Sequence, residues 1–481
     1  MLFLPKMLVA QSLPPILLAV VLLGFSPLQG QVAAPAVVRP QREAQTLNSS
    51  ELIQLKSALA DEDAGNTQRA ESVLRDLVKR HLGNFDVLES LGLLYADKGE
   101  FTAALPFLEQ AAKVAPSSGL AYANLGALYV KMDRKVEAVR TLQRATALDP
   151  KNVQTQTNLG LALMQINQPG QAAKAFGSAA EVNPQDSDLL YNWSVALLGD
   201  GNLSKAADVL SRAANSKSSA PMQALLGDIS ERQGQFKDAV EHYQAAVHLD
   251  PSEANIYALG LEFLRHWTFE PALKIFDYGL SLYPENAHLL SGQGITEYAS
   301  NNYAGAAQIF ARLLSRDTDN QLYADILGRS CSLVSDPIDG CGSLISFAQK
   351  HPKNAAAATY AAASILQGPA EAANLQLAQT LLNQAIAADP NLPDAYFQLG
   401  LLEQQQGRWQ DSAATLEKCV AMKPTLSKAR YRLALAYSRL GQKERAKEQF
   451  ALQQKYSQQE KDEVNAKLQE VTTFLITSPP N

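Results

Sequence analysis

The sequence predicts an all-α fold, a stack of twelve or so helix–turn–helix units. Three observations predict it. First, Gly92, Gly126, Gly160, Gly227, Gly260, Gly294, Gly328 and Gly400 stand about 34 residues apart, or at small multiples of that, and a fixed period in this range marks stacked repeats. Second, small and apolar residues recur around each glycine at helical rather than strand spacing. Third, turn formers punctuate the copies and proline closes most of them, as expected where one helix ends and the next begins.

The stretch from Phe85 to Ser118 sets the pattern: Leu91-Gly92, Tyr95 and Gly99, then Ala104, Leu108, Ala111 and Pro116. The next copy reads Leu125-Gly126, Tyr129, Asp133, Ala138, Leu142, Ala145 and Pro150. The third reads Leu159-Gly160, Leu163, Asn167, Ala172, Phe176, Ala179 and Pro184. The first helix of each unit therefore carries Leu-Gly and a large residue. A Gly, Asp or Asn ends it. The second helix shows Ala, a large apolar residue and Ala, and proline closes the unit. The small side chains let two antiparallel helices approach, and a unit of this kind buries its apolar face only by stacking on neighbours.

Unit starts fall near Glu51, Phe85, Gly119, Val153, Ser187, Ala220, Glu253, Ala287, Gln321, Ala355, Pro393 and Ser427. The first unit is weak (Ala58, Gly65, Ala70, Leu74), as terminal units tend to be. The unit at Ser187 has Trp193-Ser194 in place of Leu-Gly, which predicts looser helix spacing. In the unit at Gln321, Ser335-Asp336-Pro337 marks the middle turn. Asp336 as N-cap and Pro337 as first helical residue are expected to open its second helix. The unit at Ala355 is longer, with Gly368-Pro369 at a wider turn. From Gln458 to Ile476 a charged segment places Val464, Leu468, Val471 and Leu475 on one helical face, and is expected to cap the array.

This pattern of Leu-Gly, aromatic or Leu, then Ala, Phe or Leu, Ala and Pro at matching phases resembles the tetratricopeptide repeat family over roughly 51–460. The resemblance implies an α-solenoid: a right-handed superhelix whose first helices line the inner face. It also implies a protein- or peptide-binding scaffold and not an enzyme.

The termini read differently. Lys6, the apolar run Ile16 to Phe25, Pro27 and Gly30 look like a secretory signal peptide, with cleavage expected after Gly30. An uncleaved anchor is the alternative, although Pro14-Pro15 interrupts a run short for a membrane span. Residues 31–50, rich in Ala, Pro and Gln, read as a linker. The domain reading is thus 1–30 leader, 31–50 linker, 51–460 repeat array and 461–481 capping helix and tail. The expected location is the periplasm or outside the cell. After leader removal no segment is apolar enough for a membrane. A formal net charge of -6 argues against bulk binding of nucleic acid.

Candidate site residues follow from phase. Just before Leu-Gly, three successive units carry Asn124, Asn158 and Asn192, which are expected to stack as a column on the inner face. An amide both donates and accepts, so such a column suits the backbone of an extended peptide. Neighbouring inner positions are apolar or aromatic, including Leu93, Ala127, Leu161, Tyr191, Val195, Tyr257, Leu261, Leu264, Tyr298 and Phe397. These offer anchors for a partner, or packing between first helices. Lys428 and Arg432 stand one turn apart, with Arg439 beyond. They resemble half of a carboxylate clamp used in one branch of the family, but the preceding units supply Gln398 and Tyr360 where that clamp has Asn. Cys331 and Cys341 fall on the two helices of one unit, and read as a disulfide or as two small buried thiols. Cys419 takes an Ala position and reads as a buried thiol.

No phosphate-binding Gly loop, no Gly-x-Ser-x-Gly and no metal-ligand spacing occurs, and the six His are scattered. The sequence reading is therefore an exported scaffold that binds a peptide or protein in its groove, without cofactor or metal. The alternative is an assembly component of an envelope complex for secretion, pilus formation or polysaccharide export. An accessory to a transferase is the third reading.

Overall fold

The computed structural model describes residues 47–216, 218–334 and 339–477, with backbone only for 463–477. The leader, most of the linker, Asp336, Pro337 and the side chains of Val464, Leu468, Val471 and Leu475 lie outside the described residues. Among the described residues every regular element is helical. The chain divides into two compact units on either side of the His242–Tyr243 bond.

The N-terminal unit holds α1 (Ser49–Asp63) with α2 (Thr67–Arg80), α3 (Phe85–Asp97) with α4 (Phe101–Val114), and α5 (Gly119–Lys131) with α6 (Lys135–Leu148). It continues through α7 (Val153–Gln165) with α8 (Pro169–Val182), α9 (Ser187–Gly199) with α10 (Leu203–Ser216), and α11 (Ala220–Arg232). The division falls inside α12 (Phe236–Leu249). The C-terminal unit holds α13 (Glu253–Arg265) with α14 (Phe269–Leu282), and α15 (Ala287–Ala299) with α16 (Tyr303–Arg316). Then come α17 (Gln321–Cys331) with α18 (Ser343–Lys350), α19 (Ala355–Gln367) with α20 (Ala372–Ala388), α21 (Pro393–Gln405) with α22 (Trp409–Met422), and α23 (Ser427–Arg439) with α24 (Lys443–Thr477).

Local chemistry explains the register. The residue before each first helix is often a capping side chain. Asn84, Ser118, Asn152 and Asp186 in one unit, and Asn286, Asn320 and Asn354 in the other, accept from a backbone N–H in the first turn. The turn inside most hairpins uses a left-handed residue, and Gly99, Asp133, Asn167, Gly201 and Asn301 supply it with φ of 56 to 80°. Trp267 does so too, at φ 60°, and its ring packs on Phe269 at 5.9 Å. Within each hairpin the Leu-Gly glycine faces a large residue of the second helix. A Cβ on Gly160 would lie 2.6 Å from the Phe176 ring, and one on Gly126 would lie 2.6 Å from Leu142.

Neighbouring first helices touch: α3 with α5, α5 with α7 and α7 with α9 in the N-terminal unit, and α13 with α15, α17 with α19 and α19 with α21 in the C-terminal unit. Second helices of the N-terminal unit do not approach one another in this way. That unit therefore curves with its first helices inside.

Two expectations change. The second helix after Cys331 starts later than Pro337: a short 3₁₀ turn at Asp339–Gly342 precedes α18, which has only 8 residues. The chain there is drawn against α16, where a Cβ on Gly340 would overlap Ala311. The C-terminal cap is not a separate helix. It continues the last second helix without a break, so α24 runs for 35 residues. At Trp193-Ser194 the Ser194 side chain is fully buried and donates to the Leu190 carbonyl at 2.9 Å, while the indole edge lies over Gly177. An open cavity of about 580 Å³ lies beside it, lined by Trp193, Lys174, Lys205, Asp200 and Glu181 among others.

Candidate functional site

The expected asparagine column belongs to the N-terminal unit, and it is not an open ladder. Asn124 is 2% exposed, and its amide donates to Glu89 Oε1 at 2.9 Å on the preceding first helix. Asn158 is also buried, and its Oδ1 accepts from Gln154 at 3.0 Å. Asn192 is half-buried. Two of the three amides are thus engaged inside the unit, because a carboxylate at a neighbouring phase takes one and the residue a turn earlier takes the other. Tyr191 is half-buried on the same helix as Asn192, and burial, then Asp228, holds its hydroxyl above the ordinary value.

The first-helix face of the C-terminal unit is different. Tyr257 on α13 packs its ring 6.1 Å from Phe276 and 6.1 Å from His288. Tyr298 on α15 meets Tyr303 edge-on at 5.3 Å. Tyr360 on α19 lies on the backbone of Gly328, where any Cβ would overlap its ring. Each of these three rings is half-buried. Burial pushes the Tyr257 hydroxyl up to about 12, and it raises Tyr298 and Tyr360 as well, so all three are neutral donors near pH 7.

Arg329 lies on α17, the first helix between those of Tyr298 and Tyr360. Its Nε donates to Asp325 Oδ2 at 2.9 Å, one turn back on the same helix. Its charge acts on both Tyr298 and Tyr360. Among the described residues, α15 and α17 are not a closely packed pair of first helices, unlike α17 and α19. The Arg329 side chain is 28% exposed. Sequence reasoning missed Arg329 and Asp325 as site residues, and met Tyr360 only as a departure from a clamp. The signal was there: the residue after the repeat glycine is apolar at Leu93, Ala127, Leu161, Leu261, Ile295 and Leu401, and charged at Asp228 and Arg329.

The carboxylate contact expected from Lys428 and Arg432 is already satisfied in part. Lys428 Nζ pairs with Asp394 at 3.6 Å and stands 4.6 Å over the Phe397 ring. Phe397 itself is buried, at 6% exposure. Arg432 is exposed, and Gln404 donates to its carbonyl at 2.9 Å. Cys331 and Cys341 are joined by a disulfide with Cα atoms 5.9 Å apart. Cys419 is fully buried, and desolvation pushes its thiol up to about 12.

Models described as tetratricopeptide repeat match residues 55–119, 157–222 and 257–321, residues 95–159, and residues 220–253, together more than half of the chain. The chain belongs to the tetratricopeptide repeat family. A model described as bacterial transcriptional activator domain also matches residues 345–473. Among solved structures, Naa15/Naa10 bound to HypK-THB aligns over 84% of this chain and 68% of that one, at 15% identity and a TM-score of 0.39. YrrB, described as a TPR protein with an unusual peptide-binding site, aligns over 38% of this chain and 96% of its own, at 20% identity and a TM-score of 0.37. PilF of Pseudomonas aeruginosa aligns over 43% and 94%, at 19% identity and a TM-score of 0.37. These similarities are too slight to carry an argument about function. No curated protein matches the chain. Tetratricopeptide repeat arrays are protein-interaction scaffolds and in general non-catalytic.

Proposed function

We propose that this tetratricopeptide repeat protein captures a segment of a partner polypeptide on the first-helix face of its C-terminal unit. The observation that carries the reading is the set of half-buried tyrosines Tyr257, Tyr298 and Tyr360, on three of the four consecutive first helices α13, α15, α17 and α19. Their rings supply apolar area at low entropic cost, and their neutral hydroxyls can bond a peptide backbone. In the N-terminal unit two of the three asparagines, Asn124 and Asn158, are engaged with Glu89 and Gln154, which favours the C-terminal unit for holding the segment.

We also propose that capture takes place in an oxidising compartment, the periplasm or the medium outside the cell. The Cys331–Cys341 bond supports this, since disulfides persist where thiols are not kept reduced. The apolar run Ile16 to Phe25 supports it from the sequence side.

The test is site-specific photocrosslinking in the producing cell. A benzoylphenylalanine at position 298 is expected to give a discrete adduct with another polypeptide. The same probe at Val136, 71% exposed on the second-helix side of the N-terminal unit, is the control. Adducts from position 136 with none from position 298 would remove the first-helix face from the mechanism.

A further inference from the structure

A gap is built into the N-terminal unit, and its lining points to what fills it. We propose that the open cavity among α8, α9 and α10 is a binding site for a neutral saccharide, separate from the face that captures the partner segment.

At three other places in the array a polar pair closes the corresponding spot. Arg75 on α2 donates to the Tyr95 hydroxyl of α3 at 2.5 Å. The Tyr129 hydroxyl of α5 donates to Glu109 of α4 at 2.9 Å, and that of Tyr437 on α23 donates to Glu417 of α22 at 2.6 Å. Two steps of 34 residues on from Glu109 and Tyr129 stand Gly177 and Leu197, so both partners are gone. Ala173 likewise stands where α4 has Leu105 and α6 has Val139. What remains is an opening of about 580 Å³, within the range of ligand sites. Packing does not account for Trp193 beside it. Leu125 and Leu159 hold its phase in the two earlier units. The indole fits only because residue 177 is Gly, whose Cβ would lie 3.2 Å from the ring. Its Nε1–H is buried there with no hydrogen-bond partner among the described residues, a cost that leucine would avoid. The return lies on the cavity side, where the ring offers a flat apolar surface.

The charges around the opening select the ligand. Lys174, Lys205 and Arg212 line it, and so do Glu181 and Asp200. An anion meets the two carboxylates and a cation meets the three bases, so either brings like charges together. A sugar hydroxyl both donates and accepts, so it serves ammonium and carboxylate alike. The C–H face of a pyranose ring, in turn, lies flat on an indole. Lys205 Nζ stands 5.0 Å over the Trp193 ring, which holds a donor next to that surface. A side chain at Gly170 would displace the Asp200 carboxylate, so that glycine keeps an acceptor in the lining.

The experiment is calorimetric titration of the purified full chain with hexasaccharides. The neutral probes are the hexamers of glucose, mannose and N-acetylglucosamine, and the charged probes are those of galacturonic acid and glucosamine. At least one neutral probe is expected to bind, at least tenfold more tightly than either charged probe. Trp193→Leu restores the residue found at Leu125 and Leu159, and Ala173→Leu fills the opening from α8. Each is expected to weaken that binding at least tenfold while helix content by circular dichroism stays unchanged. No binding of any neutral probe up to millimolar concentration overturns the inference, and so does a charged probe that binds as tightly. Neutral binding that persists in both variants puts the sugar elsewhere and overturns it too. The comparison of probes uses the wild-type chain alone, so a variant that misfolds does not spare the inference. Its failure leaves peptide capture standing, since the cavity belongs to the other unit.

Discussion

Gly160 and Glu89 show how single residues set the stability of the N-terminal unit. Gly160 faces the Phe176 ring, which is fully buried and held on all sides, so an added methyl 2.6 Å from it has nowhere to go. Gly160→Ala is expected to lower stability by about 1–3 kcal/mol in urea unfolding, as overpacked cores do. Gly83→Ala, with open space around its Cβ, is the matched control and should shift the midpoint little. Glu89 is a different kind of residue. Its carboxyl is fully buried, one oxygen accepts from Asn124 and the other has no partner. Desolvation, with a smaller push from Asp86 and against the Asn124 bond, takes it from 4.5 up to about 8. Between those values the folded chain holds a proton that the unfolded chain has lost, so this group makes stability fall as pH rises through the window. Glu89→Gln keeps the acceptor and removes the titration. Its stability relative to wild type is therefore expected to climb between pH 5 and pH 8 and to level off above. Parallel unfolding curves for the two proteins across that range would contradict the assignment.

At the scale of elements, the phase of the array was legible because two signals repeat together. The Leu-Gly pair fixes the middle of each first helix, and the cap residue before Phe85, Gly119, Val153, Ser187, Ala287, Gln321 and Ala355 fixes its start. The asparagine column was misread because asparagine recurs at two phases. Asn84, Asn152, Asn286, Asn320 and Asn354 are caps, whereas Asn124 finds Glu89, a partner 35 residues away whose burial no local pattern announces. Arg329 went unread for a similar reason: the meaning of a charge in an apolar series depends on what neighbouring helices leave open. The late start of α18 goes with a disulfide whose pairing the spacing left open. The 8-residue helix buries Leu344, Phe347 and Ala348, and the Cys331–Cys341 bond, 10 residues apart in sequence, ties the turn ahead of it to α17. Reduction, or replacement of both cysteines by serine, is expected to cost about 3 kcal/mol of stability on the loop-entropy estimate. In hydrogen exchange, amides of Ser343–Lys350 should lose protection first, while those of Tyr303–Arg316 keep theirs. An unchanged urea midpoint on reduction would show that the bond adds nothing to the element it closes.

On the scale of the whole molecule, the three cysteines record the compartment in which the chain folds. Two are bonded, and the third, Cys419, is fully buried with its thiol 3.3 Å from the Pro393 carbonyl. Burial pushes that thiol up to about 12, so it stays protonated and inert while the protein is folded. Denaturation in the presence of an alkylating reagent, without reductant, therefore counts the state of the bond. A chain that folded in an oxidising compartment has one thiol to react, and a chain that folded in a reducing one has three. The full-length chain is expected to gain one mass increment. A version lacking residues 1–30, kept where thiols are reduced, is expected to gain three. This pairing links the apolar run at the N-terminus to a bond more than 300 residues away in sequence through the compartment alone. If the full-length chain gains three increments, export is wrong, and the peptide-binding face must then be tested against partners in a reducing compartment instead.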